Sequence, residues 1–258
     1  MTRNGQRRSL HGFSLIELLV VLSAIICLSG IGFQGYRVAR LRANQTVSTV
    51  NLSQLATANL LYAADHLTYC PADLDGRNLI RWHGRRTSIG GKFAPEQGLL
   101  AEYLGLSKRV GICPELQRLM TASAFNESGS GGYGYNDTFI GNVPSEANKP
   151  NRPASVRNPS RTLMFATTAL AVAGGLQEYP SAAPPFWVDS NWKTRGKLQP
   201  SVHFRFNGKA LVAWCDGHVT EEICSDTSST NLYGGSNASA QIGFCGPSEN
   251  DGWWNSRN

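Results

Sequence analysis

Apolar residues crowd the start of this chain and thin out afterwards, and the contrast predicts two kinds of structure. Between Phe13 and Tyr36 the only charged side chain is Glu17, and the leader Met1 to His11 carries Arg3, Arg7 and Arg8 with no acid. As a helix rising about 1.5 Å per residue, a run of about 24 residues reaches roughly 36 Å, enough to cross a hydrocarbon core. From Arg37 to His66 neither Pro nor Gly interrupts the chain. Leu41, Val47, Val50, Leu55, Ala58, Leu61 and Tyr62 fall mostly at three- and four-residue steps, predicting the apolar face of a continuing helix. Gln45, Ser48, Asn51 and Gln54 fill much of the remainder, and Cys70-Pro71 predicts the end of the helix.

The pattern then changes character. With 27 glycines, 12 prolines and many Asn and Ser residues, the remainder predicts one loop-rich globular domain rather than a helical bundle. A short helix is expected within Ala94–Leu106. The run SGSGGYGYN (Ser128 to Asn136) lacks the lysine and spacing of a phosphate loop and reads as loop followed by strand. Thr162 to Ala166 reads as a buried strand, and Gly174 to Pro200 as irregular. Val202 to Phe206, the turn Asn207-Gly208, Lys209 to Cys215, the turn Asp216-Gly217 and His218 to Ile223 predict a three-stranded antiparallel meander around two primed turns. From Ser225 onward the tail is polar and glycine-rich, with Trp253 and Trp254 near its end. The expected class is α+β: a long N-terminal helix packed on a head with an antiparallel sheet.

The segment Gly12-Phe13-Ser14-Leu15-Ile16-Glu17-Leu18 matches the pattern G-F-[ST]-L-[IVL]-E-L throughout. It resembles the prepilin-type cleavage and methylation signal of type IV pilins and pseudopilins. The resemblance implies that a prepilin peptidase cuts between Gly12 and Phe13 and that Phe13 is N-methylated. It also implies that Glu17, fifth in the mature chain, pairs with the N-terminal amine of a neighbouring subunit. The physics is consistent, since a carboxylate in hydrocarbon is costly and a nearby cation offsets part of that cost. A secretory signal peptide needs a shorter apolar run and a small-residue cleavage site; a plain signal anchor is the simpler rival. The implied organisation is a leader at 1–12, a transmembrane half-helix at 13–36, an amphipathic half-helix at 37–66 and a head at 67–258.

A second resemblance lies near the C-terminus. Arg205, Asn207, Gly208, Asp216, Gly217, His218 and Val219 are similar to the H-X9-DG motif of a large group of pilin-like proteins, embedded there as R-H-N-G … A-D-G-H-V. Position 206 is Phe206 where that motif has His, and the nearest histidine is His203. Cys70-Pro71-Ala72-Asp73, Tyr133-Gly134-Tyr135-Asn136 and Asn158-Pro159-Ser160 are further family-like pieces.

Charge changes this picture little. The formal charge of +6 falls to +3 once the three leader arginines are removed, too mild to argue for a polyanion, and no nucleic-acid partner is expected. Arg37, Arg40 and Arg42 balance the leader arginines across the span, so only the pilin-like signal places the N-terminus inside and the head outside.

Of six cysteines, Cys27 lies in the span and Cys70, Cys113, Cys215, Cys224 and Cys245 come after it. An odd extracytoplasmic count leaves at least one unpaired, and no spacing suits a metal site. Across the Asp216-Gly217 turn Cys224 lies too far along its strand to reach Cys215; Cys224 with Cys245 and Cys70 with Cys113 are the expected pairings.

His203, Asp216 and His218 are candidates for a metal or acid–base site, with a structural meander the stronger reading because Asp-Gly favours a turn for backbone reasons alone. No nucleophile spacing has a recognisable local signature, so neither enzyme activity nor a cofactor is expected. The function implied is a pseudopilin-like subunit of a type II secretion pseudopilus or type IV pilus-like filament. Its partners would be prepilin peptidase, other pilin-like subunits, their assembly machinery and inner-membrane lipid. The alternative is a membrane-anchored binding module for glycan or surface polymer. Its contacts would be Trp82 among Arg77, Arg81, Arg85, Arg86, Lys92 and His83, or Trp253 and Trp254.

Overall fold

A computed structural model of the chain describes residues 14–74, 76–121, 127–142, 149–189, 193–228 and 231–257. One α-helix, α1, runs unbroken from Leu15 to His66. The chain divides into two compact units, one ending at Ala43 and the other spanning Asn44–Asn258, so α1 belongs to both. The helix stops before Cys70-Pro71. Leu67 takes a left-handed φ of 63° and donates its N–H to Ala63 O at 2.9 Å, closing the last turn without a glycine.

Within the second unit the buried face of α1 matches the one that hydrophobicity predicts only in part, at Leu55 and Ala58. Ser48, Asn51 and Asn59 are buried together with Leu52, Leu55, Ala56, Ala58 and Ala63, whereas Val47, Val50 and Leu61 are exposed. The polar side chains turn inward because they have partners there. Asn44 Nδ2 donates to Glu115 Oε2 at 2.9 Å, and Ser48 Oγ donates to Cys113 Sγ at 3.2 Å. Asn51 Nδ2 donates to Gly111 O at 3.0 Å and to the Tyr133 hydroxyl at 2.9 Å. Asn59 completes a ring: its Nδ2 donates to the Tyr135 hydroxyl (3.1 Å), that hydroxyl donates to Cys70 O (2.9 Å), and Cys70 N–H donates back to Asn59 Oδ1 (2.8 Å).

The main sheet is antiparallel. Its strands are β3 (Tyr133–Tyr135), β4 (Leu163–Thr167), β9 (Val202–His203), β10 (Lys209–Trp214), β11 (Val219–Asp226) and β12 (Ile242–Cys245), in the order β3-β4-β10-β11-β12-β9. Small hairpins flank it: β1 (Ile80–Arg81) with β2 (Gly84–Arg85), β5 (Leu170–Val172) with β6 (Gly175–Gln177), and β7 (Phe186–Val188) with β8 (Thr194–Lys197). The sheet curls back on itself. β9 pairs with β12, and its Val202 also bridges Thr168 just beyond β4. The Thr167 hydroxyl sits in the seam, accepting from Leu211 N–H at 3.1 Å and donating to His203 O at 3.2 Å. Leu163, Val202, Phe204, Val212, Phe244 and Trp254 pack inside the curl.

The expected meander is therefore only partly present. Asn207 and Gly208, at φ 52° and 76°, make the expected two-residue turn between Phe206 and Lys209. Upstream of Phe206, however, the strand leaves β10 and joins β12, a strand hidden in the tail that reads as polar. The Asp216-Gly217 turn is one residue longer than expected. Trp214 pairs with His218, taking its carbonyl at 3.0 Å, and Gly217 N–H closes on Trp214 O at 2.9 Å. Gly217 takes the positive φ of 95° that such a three-residue loop needs. In place of one short helix in Ala94–Leu106 there are three 3-10 turns, at Pro95–Gln97, Ala101–Tyr103 and Gly105–Ser107. The stretch expected to be irregular contains β6, β7 and β8.

Replacing Asn59 by Ala leaves Cys70 N–H without its acceptor in a buried site, which costs about 1–3 kcal/mol. The urea midpoint of the detergent-solubilised chain should fall accordingly, while Gln54→Ala on the exposed face should stay within about 0.5 kcal/mol. Equal effects at the two positions would reject the buried-amide attachment.

Candidate functional site

Gly12 and Phe13 lie outside the described residues. Directly after them α1 starts with a reciprocal cap, in which Ser14 N–H donates to Glu17 Oε2 at 2.9 Å and Glu17 N–H donates to Ser14 Oγ at 3.2 Å. Ser-x-x-Glu is the signature of a capping box, so Ser14 and Glu17 set where the helix begins. That reading was available in the sequence. It also gives the Glu17 carboxylate a hydrogen-bond donor within its own chain. Beyond the cap the described apolar side chains stay uncovered, from Leu15 at 83 % exposed to Phe33 at 61 %. This helix is long enough, and apolar enough in its first half, to cross a membrane.

The family-like pieces meet in the second unit. Cys70 and Tyr135 join at Asn59 of α1, and Tyr133 joins at Asn51. Asn136 donates from Nδ2 to Leu163 O at 2.8 Å and to Trp254 O at 2.9 Å, and accepts from Phe139 N–H at 3.2 Å. All of these side chains are buried, and most of the contacts hold separate segments together. Burial pushes the Tyr135 phenol well up from its usual range.

The residues of the C-terminal motif are likewise structural in placement. Phe206 is buried in the position where the motif carries His. Arg205, also buried, donates from Nη2 to Gly132 O at 2.7 Å and Thr168 O at 3.1 Å. Asp216 and His218 form a surface pair across the turn, Oδ1 to Nδ1 at 2.5 Å, and the same oxygen accepts His218 N–H at 3.2 Å. His203 does not join them. It is buried on β9 opposite Ile242, and desolvation together with Arg205 holds its pKa well below the usual histidine value. Among the described residues no group of three or more His, Cys, Asp and Glu side chains is placed to hold a metal ion.

Of the aromatic platforms named for glycan binding, Trp82 and Trp254 are buried and Trp253 is half-buried against the core. Trp82 is buried and donates from Nε1 to Pro180 O at 3.1 Å; Trp254 is buried and donates to Ala182 O at 2.8 Å. Trp253 lies edge-on to Trp214 with ring centroids 5.2 Å apart. Near Trp82, Arg81 and Arg86 both reach Glu127, at 3.0 and 3.5 Å. The Arg86 guanidinium lies 4.3 Å over the Phe93 ring. Burial and these two arginines push the pKa of His83 well down.

The glycine-rich run is an anion cradle filled from within. Glu178 Oε2 accepts N–H bonds from Gly129 at 2.8 Å and Gly131 at 2.9 Å, as turn amides do for bound anions. Its composition made the loop legible; its occupant comes from a distant strand end and was not.

The structure brings Cys224 and Cys245 face to face on β11 and β12 and does not bring Cys70 to Cys113. Cys113 sits at Ser48 and Cys70 at Asn59, about 16 Å apart in helix rise.

Two predictions concern the tail. Trp254→Ala should cost about 3–5 kcal/mol of stability, read as a shift in urea midpoint; an unshifted midpoint would return Trp254 to the surface-ligand role. Asp251 accepts Phe186 N–H at 2.7 Å, and burial raises its carboxyl pKa to about 6. An unfolded aspartate titrates near about 3.9, so between those values the folded chain holds the extra proton. This group therefore lowers stability as pH rises from about 4 to 6. Asp251→Asn should remove that slope from a plot of urea midpoint against pH.

Compared with known proteins, the chain matches no family model, no curated protein and no solved structure.

Proposed function

We propose that the chain is a pilin-like subunit. It is cut between Gly12 and Phe13 by a prepilin peptidase, methylated at Phe13, held in the cytoplasmic membrane with its head outside, and assembled into a type II secretion pseudopilus or type IV pilus-like filament. The observation that carries this reading is the change of character along one continuous helix. Its first half leaves a long apolar surface uncovered, interrupted by a single carboxylate. From Asn44 onward its second half is fastened to the head by side-chain amides.

Two glycines support a helix–helix role. A Cβ at Gly30 or Gly35 would meet nothing within this chain, yet each glycine costs a helix about 1 kcal/mol relative to alanine. Small residues let a second helix approach closely. The mechanism is non-enzymatic. Packing of α1 against neighbouring copies supplies the attraction, and pairing of Glu17 with a neighbour's amine sets the register.

Intact mass and N-terminal sequencing of the chain, from membranes with and without a prepilin peptidase, test the reading. The expected product begins at N-methylated Phe13. Retention of Met1 to Gly12 or cleavage after Gly30 would reject it. Glu17→Val should still be processed but should lower filament yield about tenfold or more, the effect of losing about 1.4 kcal/mol per subunit contact.

A further inference from the structure

We propose that Cys224 and Cys245 are a disulfide-forming pair that ties β11 to β12. The two are direct partners in the antiparallel register, Cys224 opposite Cys245. Directly opposed antiparallel residues have Cα atoms about 4.5 or 5.5 Å apart, according to their place in the hydrogen-bond pattern. Both values fall in the roughly 4.4–6.8 Å window that a disulfide requires. The register shifts only after this pair, between Cys224 and Asp226; paired residues project to the same face of the sheet, so side-chain rotation turns the two sulfurs toward each other.

The Cys224 sulfur already rests on the face of β12 that carries Cys245. In the structure all six cysteines are free thiols, and Cys224 Sγ rests over Gly243, whose missing Cβ would lie 2.5 Å from it. Gly243 lies two residues before Cys245 on the same face of β12. Cys224 is half-buried and Cys245 fully buried, so the two thiols have different parts to play. Cys224 is the one that a solution disulfide reaches. Its thiolate attacks one sulfur of a small-molecule or oxidoreductase disulfide, releasing the other sulfur as a thiol and leaving a mixed disulfide. Cys245 then loses its proton and attacks the Cys224 sulfur, releasing the second thiol. The pair loses two electrons and two protons, and the donor disulfide gains them.

No other thiol competes. Cys70, Cys113 and Cys215 are fully buried, with Cys113 against Ser48 and Cys70 against Pro71 O. Cys27 is in the apolar half of α1. The link would close a loop of 20 intervening residues and secure the strand that pairs with β9, hence the far side of the curled sheet. Formation in the cell rests on the proposed placement of the head outside the cytoplasm, where disulfides persist; the pairing itself does not.

The test counts thiols in the full-length chain solubilised in detergent. Protein isolated from cells, and the same protein treated with oxidised glutathione, is denatured without reductant, alkylated with N-ethylmaleimide and mapped by mass spectrometry. Four alkylated cysteines and a peptide pair linked through Cys224 and Cys245, 2 Da lighter than the two thiol peptides, is the expected result. The link should vanish in Cys224→Ser. Reductant should lower the melting temperature of the oxidised wild type by several degrees and leave Cys224→Ser unmoved. Six alkylated cysteines after oxidised glutathione, or a link from either residue to another cysteine, overturns the pairing. A link that forms with oxidised glutathione but is missing from cell-derived protein supports the pairing and counts against the extracytoplasmic placement instead.

Discussion

The head is organised by the side-chain amides of α1. A helix half that packed by apolar contact alone could slide or rotate on a sheet with little change in energy. Asn51 and Asn59 cannot, because each satisfies a buried tyrosine hydroxyl and a backbone group at a fixed position along the helix. A displacement by one residue would take the amide donors away from the Tyr133 and Tyr135 hydroxyls and orphan the buried N–H of Cys70, the last at a cost of about 1–3 kcal/mol. The hydroxyls of Tyr133 and Tyr135 project from one face of β3, so the same contacts fix the edge of the main sheet to the helix.

From that edge the constraint passes inward. β3 is paired with β4, and the segment after β3 carries Asn136, which joins Leu163 of β4 to Trp254 in the tail. Thr167 at the end of β4 then stitches β10 to β9 through its hydroxyl. A single threonine oxygen thus substitutes for a backbone partner where the curled sheet comes together. Buried hydrogen-bonded groups recur at each junction, and the apolar core fills the space they define. Such cross-links resist shear in a way that non-directional hydrophobic contacts do not. That property suits a head carried on a helix whose other half has no cover of its own.

Much of the architecture was legible in the residues. The length, continuity and apolar character of α1, the buried strand after Asn158-Pro159-Ser160, the Asn207-Gly208 turn and the α+β character all arise from local pattern. The errors share a cause. Periodicity put Val47, Val50 and Leu61 on the inner face of α1, because it scores apolarity and has no knowledge of the tyrosines that would claim Ser48, Asn51 and Asn59. Adjacency put Val202 to Phe206 beside β10, because a strong turn predicts a hairpin and says nothing of a more distant strand competing for the same edge. Whether Trp82, Trp253 and Trp254 face inward or outward was left open, because burial cannot be read from a dipeptide.

The sequence by itself determined what is local: an uninterrupted helix, its capping box at Ser14 and Glu17, the uncharged stretch beyond it, and turns that depend on one or two residues with positive φ. Those features rest on interactions within a few positions of each other, or on the solvent that a long apolar run demands. Tertiary structure alone decided the rest. Which face of α1 is buried, which strands meet and that Glu178 fills the glycine-rich cradle all depend on groups tens to more than a hundred residues apart. Their pairing is settled by what else is left unsatisfied when the whole domain closes.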